Sequence, residues 1–83
     1  MTQIWITCRS LTHAQRAAVI LERSGITATV NRIPKGLSPK GCAYAVVVRR
    51  RTREALRILE SGRIAYGKVF ERGESGEFRE VQP

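Results

Sequence analysis

Residues 32–48 read RIPKGLSPKGCAYAVVV, and this stretch fixes where the middle of the chain is loop and where it is strand. Proline restricts the backbone and glycine frees it, so residues 34–41, which hold two of each, are expected to form an exposed loop rather than a helix. The apolar run that follows predicts a buried third strand over residues 43–49. Cys42 lies at the junction of loop and strand, and any chemistry in this stretch is expected to belong to it.

The chain before this loop predicts a strand, a helix and a second strand. Residues 3–8, QIWITC, are rich in β-branched and aromatic side chains, which favours a strand buried on at least one face. Thr12 with Gln15 fits a capping box and predicts the start of the helix. Gly25 predicts its end in the left-handed conformation, and residues 26–30 are predicted as the second strand. The small apolar residues that form the face of this helix are Ala14, Ala17, Ala18 and Leu21.

The chain after the loop repeats the same kinds of element. Thr52 is the predicted cap of a second helix, which Gly62 ends. Residues 64–70 are predicted as a weaker fourth strand. Residues 71–83 are polar and contain glycine, so they are expected to form a flexible tail beyond a single domain of residues 1–70. The apolar face of the second helix comprises Ala55, Ile58 and Leu59.

An internal repetition predicts the topology. Residues 20–26, ILERSGI, resemble residues 58–64, ILESGRI, and both are helix ends that lead towards a strand. Two strand-helix-strand units in tandem give the order β-α-β-β-α-β. The simplest two-layer arrangement of that order is an α+β ferredoxin-like sandwich, with a four-stranded antiparallel sheet and both helices on one face.

This topology predicts that several reactive side chains share one corner of the molecule. The first and third strands would be antiparallel neighbours, so Cys8 at the end of one lies beside Cys42 at the start of the other. The first helix begins at the same end of the sheet. Its unpaired N–H groups, together with Ser10, Thr12 and His13, are therefore expected around the two cysteines.

Composition sets the class of protein. The 83 residues carry a net charge of +8, and 12 of the 15 cations are arginine. A positive field favours anionic partners such as nucleic acid, phosphorylated ligands or an acidic protein surface, without choosing among them. No apolar run is long enough for a membrane span, no secretory signal is evident, and two distant cysteines with one histidine do not form a zinc motif. A cytoplasmic protein with no membrane contact and no metal is expected.

The predicted corner has two interpretations, which the residues alone leave open. A helix N-terminus with Lys35, Lys40 and His13 nearby would favour the Cys42 thiolate and make it a nucleophile, with Cys8 as a resolving thiol. Alternatively, both cysteines are packing residues in a core, as cysteines often are, and His13 is a solvated residue of the first helical turn.

The arginine run at residues 49–51 is a second candidate site. Arg49, Arg50 and Arg51, with Thr12 as a further candidate, would bind an anion such as a phosphate, whereas the alternative is a solvated turn between strand and helix. Paired carboxylates, a glycine-rich phosphate fingerprint and a serine-triad spacing are not evident in the sequence. A stand-alone hydrolase or kinase is therefore not expected.

The sequence over about residues 3–66 resembles the small bacterial selenium/sulfur carrier protein-like family. The resemblance rests on Thr12-His13-Ala14, Ser24-Gly25-Ile26, Ile33-Pro34-Lys35 and Ser38-Pro39-Lys40-Gly41-Cys42. In that family a Pro-Arg pair and a serine-containing loop precede a Cys-Gly pair, and the cysteine is the proposed carrier of persulfide or selenide. Pro34, Ser38 and Cys42 match this pattern, whereas Lys35 replaces the arginine and Ala43 replaces the glycine.

Two functional hypotheses follow. In the first, which the resemblance implies, Cys42 accepts sulfur or selenium from a donor protein and passes it to an acceptor, and no cofactor is needed. In the second, the chain is a nucleic-acid-binding or anion-binding module without chemistry, and its basic residues contact phosphates. The arginines of that second hypothesis are Arg49, Arg50, Arg51, Arg53 and Arg57.

Overall fold

The protein is an α+β domain with two helices and one antiparallel sheet. The computed structural model describes residues 2–34 and 43–81. Its elements in chain order are β1 (Gln3–Cys8), α1 (Leu11–Arg23), β2 (Thr29–Arg32), β3 (Tyr44–Val48), α2 (Thr52–Ser61), β4 (Val69–Arg72) and β5 (Phe78–Val81).

The central strand of the sheet is β1, which pairs with β3 on one side and β4 on the other in the order β2-β3-β1-β4-β5. The β1–β3 register sets Cys8 opposite Tyr44 and Ile4 opposite Val48. The prediction that the first and third strands are antiparallel neighbours is therefore confirmed.

The sheet has five strands, and the predicted number of four was wrong. The additional strand, β5, lies in the segment expected to be a flexible polar tail and pairs with β4. A short turn with Gly76 at φ +89° reverses the chain between them, and the Phe78 ring then meets Trp5 edge to face at 5.1 Å between ring centroids. A five-stranded sheet differs from the four-stranded sheet of the predicted ferredoxin-like sandwich. The ferredoxin-like order of the elements stays a prediction.

The two faces of the sheet bury different clusters. Both helices pack on the face that carries Ile6, Cys8 and Val46, and this cluster is the main core. Most residues of the two predicted apolar helix faces are confirmed as core residues. Ala14, Ala17 and Leu21 of α1 are fully buried, as are Ala55 and Leu59 of α2, whereas Ala18 and Ile58 are partly buried. On the opposite face, a smaller cluster comprises Trp5, Ile33, Ala45, Val47 and Phe70.

Both predicted N-caps were wrong by one or two positions. Ser10 caps α1, since its hydroxyl accepts from the backbone N–H of His13 at 3.2 Å, and Thr12 lies within the first turn. Serine before an apolar residue is itself a good cap, so it takes precedence over the Thr12–Gln15 pattern. Thr52 is the first residue of α2, and the cap position belongs to Arg51 in the left-handed conformation at φ 60°.

The repeated sequence forms the same helix end twice, with one difference. In α1, Gly25 at φ 85° donates to the Glu22 carbonyl and Ile26 donates to the Leu21 carbonyl. In α2 the equivalent bonds run from Arg63 to Glu60 and from Ile64 to Leu59. Because Gly62 lies one position earlier, as the C-cap, the left-handed position falls on Arg63 at φ 58°.

This capping explains why β2 and β4 begin later than expected. Ile26 and Ile64 are committed to the helix ends, and the backbone N–H of Ala28 donates to the Glu22 carboxylate at 3.0 Å instead of joining a strand. The side chains of Ile26, Ala28 and Ile64 are nevertheless buried in the core. The apolar pattern therefore predicted their burial correctly, but wrongly assigned these residues to strands.

Candidate functional site

The end of β1, the start of α1 and the start of β3 meet at one corner of the molecule. The paired residues Cys8 and Tyr44 end the described β1–β3 ladder there. On the far side of β3, Arg32 is opposite Tyr44, and the Ile33 N–H donates to the Ala43 carbonyl at 2.9 Å. These bonds fix the two points at which the chain leaves β2 and enters β3.

Cys8 lies at this corner but faces inwards. Its side chain is fully buried in the cluster beneath the helices, and Sγ is 3.7 Å from the Ile6 carbonyl oxygen, a weak contact. A buried apolar environment disfavours a thiolate. The surroundings of Cys8 therefore fit a packing residue better than an attacking nucleophile.

Ser10 and His13 form a coupled pair at the start of α1. The Ser10 hydroxyl accepts from the His13 backbone N–H and also lies 2.8 Å from Nδ1 of the His13 ring. The half-buried ring is thereby held against its own helix turn, and Nε2 remains the nitrogen that can meet another group. Thr12 is exposed and adjacent to this pair.

Tyr44 and Arg32 form the outer side of the corner. The Arg32 guanidinium lies 5.6 Å from the centre of the Tyr44 ring and donates to its hydroxyl at 3.3 Å. Sequence analysis did not assign either residue to the site. The predicted antiparallel pairing of the first and third strands could have indicated Tyr44, which lies opposite Cys8. The pairing of β2 with β3 then brings Arg32 opposite Tyr44.

The predicted carrier thiol Cys42, and Lys35 and Lys40, lie outside the described residues. Cys42 is two residues before Tyr44 in the sequence. Of the predicted group, the described part of the corner thus contains Cys8, Ser10, Thr12 and His13.

The arginine run lies at the other end of β3. From Tyr44 to Val48 the strand advances by about 14 Å at ~3.4 Å per residue, and Arg49 follows Val48 directly. Thr12 lies near the end of β1, so it and the three arginines do not form one anion site. The arginine turn is a separate feature of the surface.

The three arginines of that turn differ in their partners. Arg51 donates two hydrogen bonds to the Glu54 carboxylate, from Nε at 2.6 Å and from one terminal nitrogen at 2.7 Å. Its other terminal nitrogen lies 3.4 Å from the Gly25 carbonyl oxygen. The hydrogen bond from Arg51 lowers the pKa of Glu54 and keeps it ionised. Arg49 and Arg50 are exposed and line an open groove of about 600 Å³.

The structure describes two ranges of the chain, 2–34 and 43–81. They contain no cluster of three or more histidine, cysteine or carboxylate side chains able to hold a metal ion. No helix among them has the length and apolar character to cross a membrane.

A family model described as "Putative Se/S carrier protein-like" matches residues 3–71, most of the chain. No curated protein matches the sequence. No solved structure matches it either.

Proposed function

Because the chain belongs to the Se/S carrier protein-like family, we propose that it carries sulfur or selenium on Cys42 as a persulfide-type adduct. The family match is the observation that carries this proposal. It covers β1 to β4, including the segment that contains Cys42.

The proposed loading step is a transfer of sulfane sulfur between thiols. The Cys42 thiolate attacks the terminal sulfur of a donor protein persulfide, R–S–SH. The new bond joins the Cys42 sulfur to that terminal sulfur, the donor S–S bond breaks, and R–S⁻ leaves, so Cys42–S–SH forms with no net oxidation. Unloading to an acceptor thiolate repeats the same exchange, and the selenium version replaces the terminal sulfur atom. Neither step calls for a cofactor.

The geometry of the corner supports this role in three ways. The hydrogen bond between Ile33 and Ala43 anchors both ends of the intervening chain on the rigid sheet. Two residues span at most about 7 Å, so the covalent tether from Tyr44 limits how far Cys42 lies from the corner. The start of α1, with its N–H dipoles, lies at the same end of the sheet and favours a nearby anion.

We assign supporting roles to the neighbouring side chains. Lys35 and Lys40 supply positive charge that favours the Cys42 thiolate and the terminal persulfide anion. His13, oriented by Ser10, offers Nε2 to the same anion. Cys8, the thiol considered for a resolving role, is given no part in either step, because its side chain is fully buried in the core.

Mass spectrometry of the intact protein tests the proposal. The protein is incubated with a cysteine desulfurase and cysteine, without reductant, and its mass is then measured. We expect a gain of one sulfur atom in the wild type and in Cys8→Ser, and no gain in Cys42→Ser. An adduct that persists in Cys42→Ser, or no adduct in any of the three proteins, would contradict a carrier role for Cys42.

A further inference from the structure

The turn between β3 and α2 carries arginines whose positive charges are not all paired with carboxylates of the described residues. Arg51 is neutralised by Glu54, whereas no hydrogen bond or ion pair within the described part of the chain involves the side chain of Arg49 or Arg50. Both are exposed. Two adjacent guanidinium groups without a counterion are thus available to an anion.

These arginines line a groove that also offers hydrogen-bond donors. The groove of about 600 Å³ is bordered by Arg49, Arg50, Thr27, Thr29 and Gln3. Guanidinium, hydroxyl and amide groups are the side chains that commonly contact phosphate oxygens in nucleic-acid complexes.

A second groove continues this surface between the two helices. It measures about 730 Å³, and Arg53 and Arg57, one helical turn apart, lie on its wall with Ser24 and Ser61. The grooves meet where Arg51 reaches from Glu54 to the Gly25 carbonyl, because Glu54 borders one groove and Arg51 the other. Within the described residues, the side chains of Arg49, Arg50 and Arg53 make no hydrogen bond or ion pair, and the charge of Arg57 acts on the Glu54 carboxylate without a hydrogen bond. These four arginines therefore flank one basic strip.

The shape and chemistry of the strip indicate the ligand. Its two grooves are open and adjoin at the Arg51–Glu54 pair, which suits an extended polyanion better than a single enclosed anion. Arginine is preferred where planar, bidentate contact with phosphate matters. Among the described residues, no aromatic side chain lines either groove, and Tyr44, Trp5 and Phe70 belong to the core clusters. The strip therefore offers no ring on which a base could stack.

We infer that this strip, defined by Arg49, Arg50, Arg53 and Arg57, binds the phosphodiester backbone of a nucleic acid without reading its sequence. Arg49 and Arg50 of the strip follow the end of β3 that is remote from the Cys8–Tyr44 corner, so binding to them should be independent of thiol chemistry. Most of the binding free energy would come from the release of counterions from the nucleic acid, so the affinity should depend steeply on salt concentration.

Fluorescence anisotropy with a labelled, short single-stranded RNA of mixed sequence tests this inference, with DNA of the same sequence and an RNA hairpin as further arms. The variant Arg49→Gln/Arg50→Gln removes two charges from the strip. The matched control Arg9→Gln/Arg16→Gln removes two exposed charges near the other end of the molecule. Thermal unfolding followed by circular dichroism verifies that both variants are folded.

The inference predicts binding at about 50 mM salt, a roughly tenfold weaker Kd for the strip variant, and a fall of about 1.4 in the slope of log Kd against log salt concentration. The control variant should change the Kd by less than about twofold, and Cys42→Ser should leave it unchanged. Equal losses in the two arginine variants would mean diffuse attraction rather than a site. Displacement of RNA by polyglutamate at equal charge concentration would assign the strip to an acidic protein surface, and it would overturn the inference, as would absence of binding at low salt.

Discussion

Cys8 and Tyr44 lie directly opposite each other at the end of the β1–β3 ladder, and both side chains belong to the helix-covered side of the sheet. The pairing connects the buried thiol of β1 to the strand that begins two residues after Cys42. At this corner the side chain of Cys8 faces the core. This relationship is the basis for distinguishing the two thiols by their reactivity.

The cap of α1 gives the first prediction. Ser10→Ala removes the hydroxyl that accepts from the His13 N–H, and we expect it to lower the free energy of unfolding by about 1 kcal/mol. Thr12→Ala should have an effect within about 0.5 kcal/mol, because Thr12 is an exposed residue inside the first turn. Urea unfolding measures both. A larger loss for Thr12→Ala than for Ser10→Ala would contradict the assigned cap.

The two helix ends give a matched pair of substitutions with opposite signs. Arg63 holds a left-handed conformation at φ 58°, so Arg63→Gly should stabilise the protein by about 0.5–1 kcal/mol. Gly25 occupies the equivalent position of α1 at φ 85°, and no atom lies within 4 Å of the Cβ that alanine would add. Gly25→Ala should therefore destabilise by about 1 kcal/mol through backbone strain alone. The same sign for both substitutions, in chemical denaturation, would refute the equivalence of the two ends.

A hydrogen bond between Tyr66 and Glu60 predicts a dependence of stability on alkaline pH. The Tyr66 hydroxyl donates to the Glu60 carboxylate at 2.6 Å, and this bond raises the pKa of Tyr66 from 10.0 to about 12. Because the folded pKa is above the unfolded value, the contribution is complete below about pH 10 and is lost as the pH rises towards about 12.

Tyr66→Phe tests this dependence, since it removes the titrating hydroxyl. We expect the variant to lose less of its unfolding free energy than the wild type between about pH 9 and about pH 12. Groups that titrate equally in both proteins cancel in the comparison. Parallel pH profiles would show that the Glu60 bond does not hold the Tyr66 proton.

The sequence predicts the order of the elements well, because their signals are local. The strand at residues 3–8 has the predicted bounds, and the helix faces follow from the spacing of Ala14, Ala17 and Leu21. The repetition at residues 20–26 and 58–64 correctly marks two equivalent helix ends.

The errors occur where contacts distant in sequence decide the structure. β5 is short and polar by composition, and it is in the sheet because Phe78 meets Trp5 and Arg72. Neither partner is apparent from residues 71–83 alone. The separation of Thr12 from the arginine run, by contrast, already follows from the predicted antiparallel pairing of the first and third strands, which puts Arg49 at the end of β3 remote from Cys8.

The carrier account rests most directly on the reactivity of Cys42, measured as the rate of thiol alkylation against pH. Cys8→Ser leaves Cys42 to report, and Cys42→Ser leaves Cys8. The account predicts fast alkylation of Cys42 at neutral pH, with a pKa below the ordinary value of about 8.5 because lysines and a helix N-terminus favour its anion. Cys8 should react only slowly until denaturant exposes it. If instead Cys42 titrates above the ordinary value, or reacts only in denaturant, then it is a packing residue and the proposed carrier function is wrong.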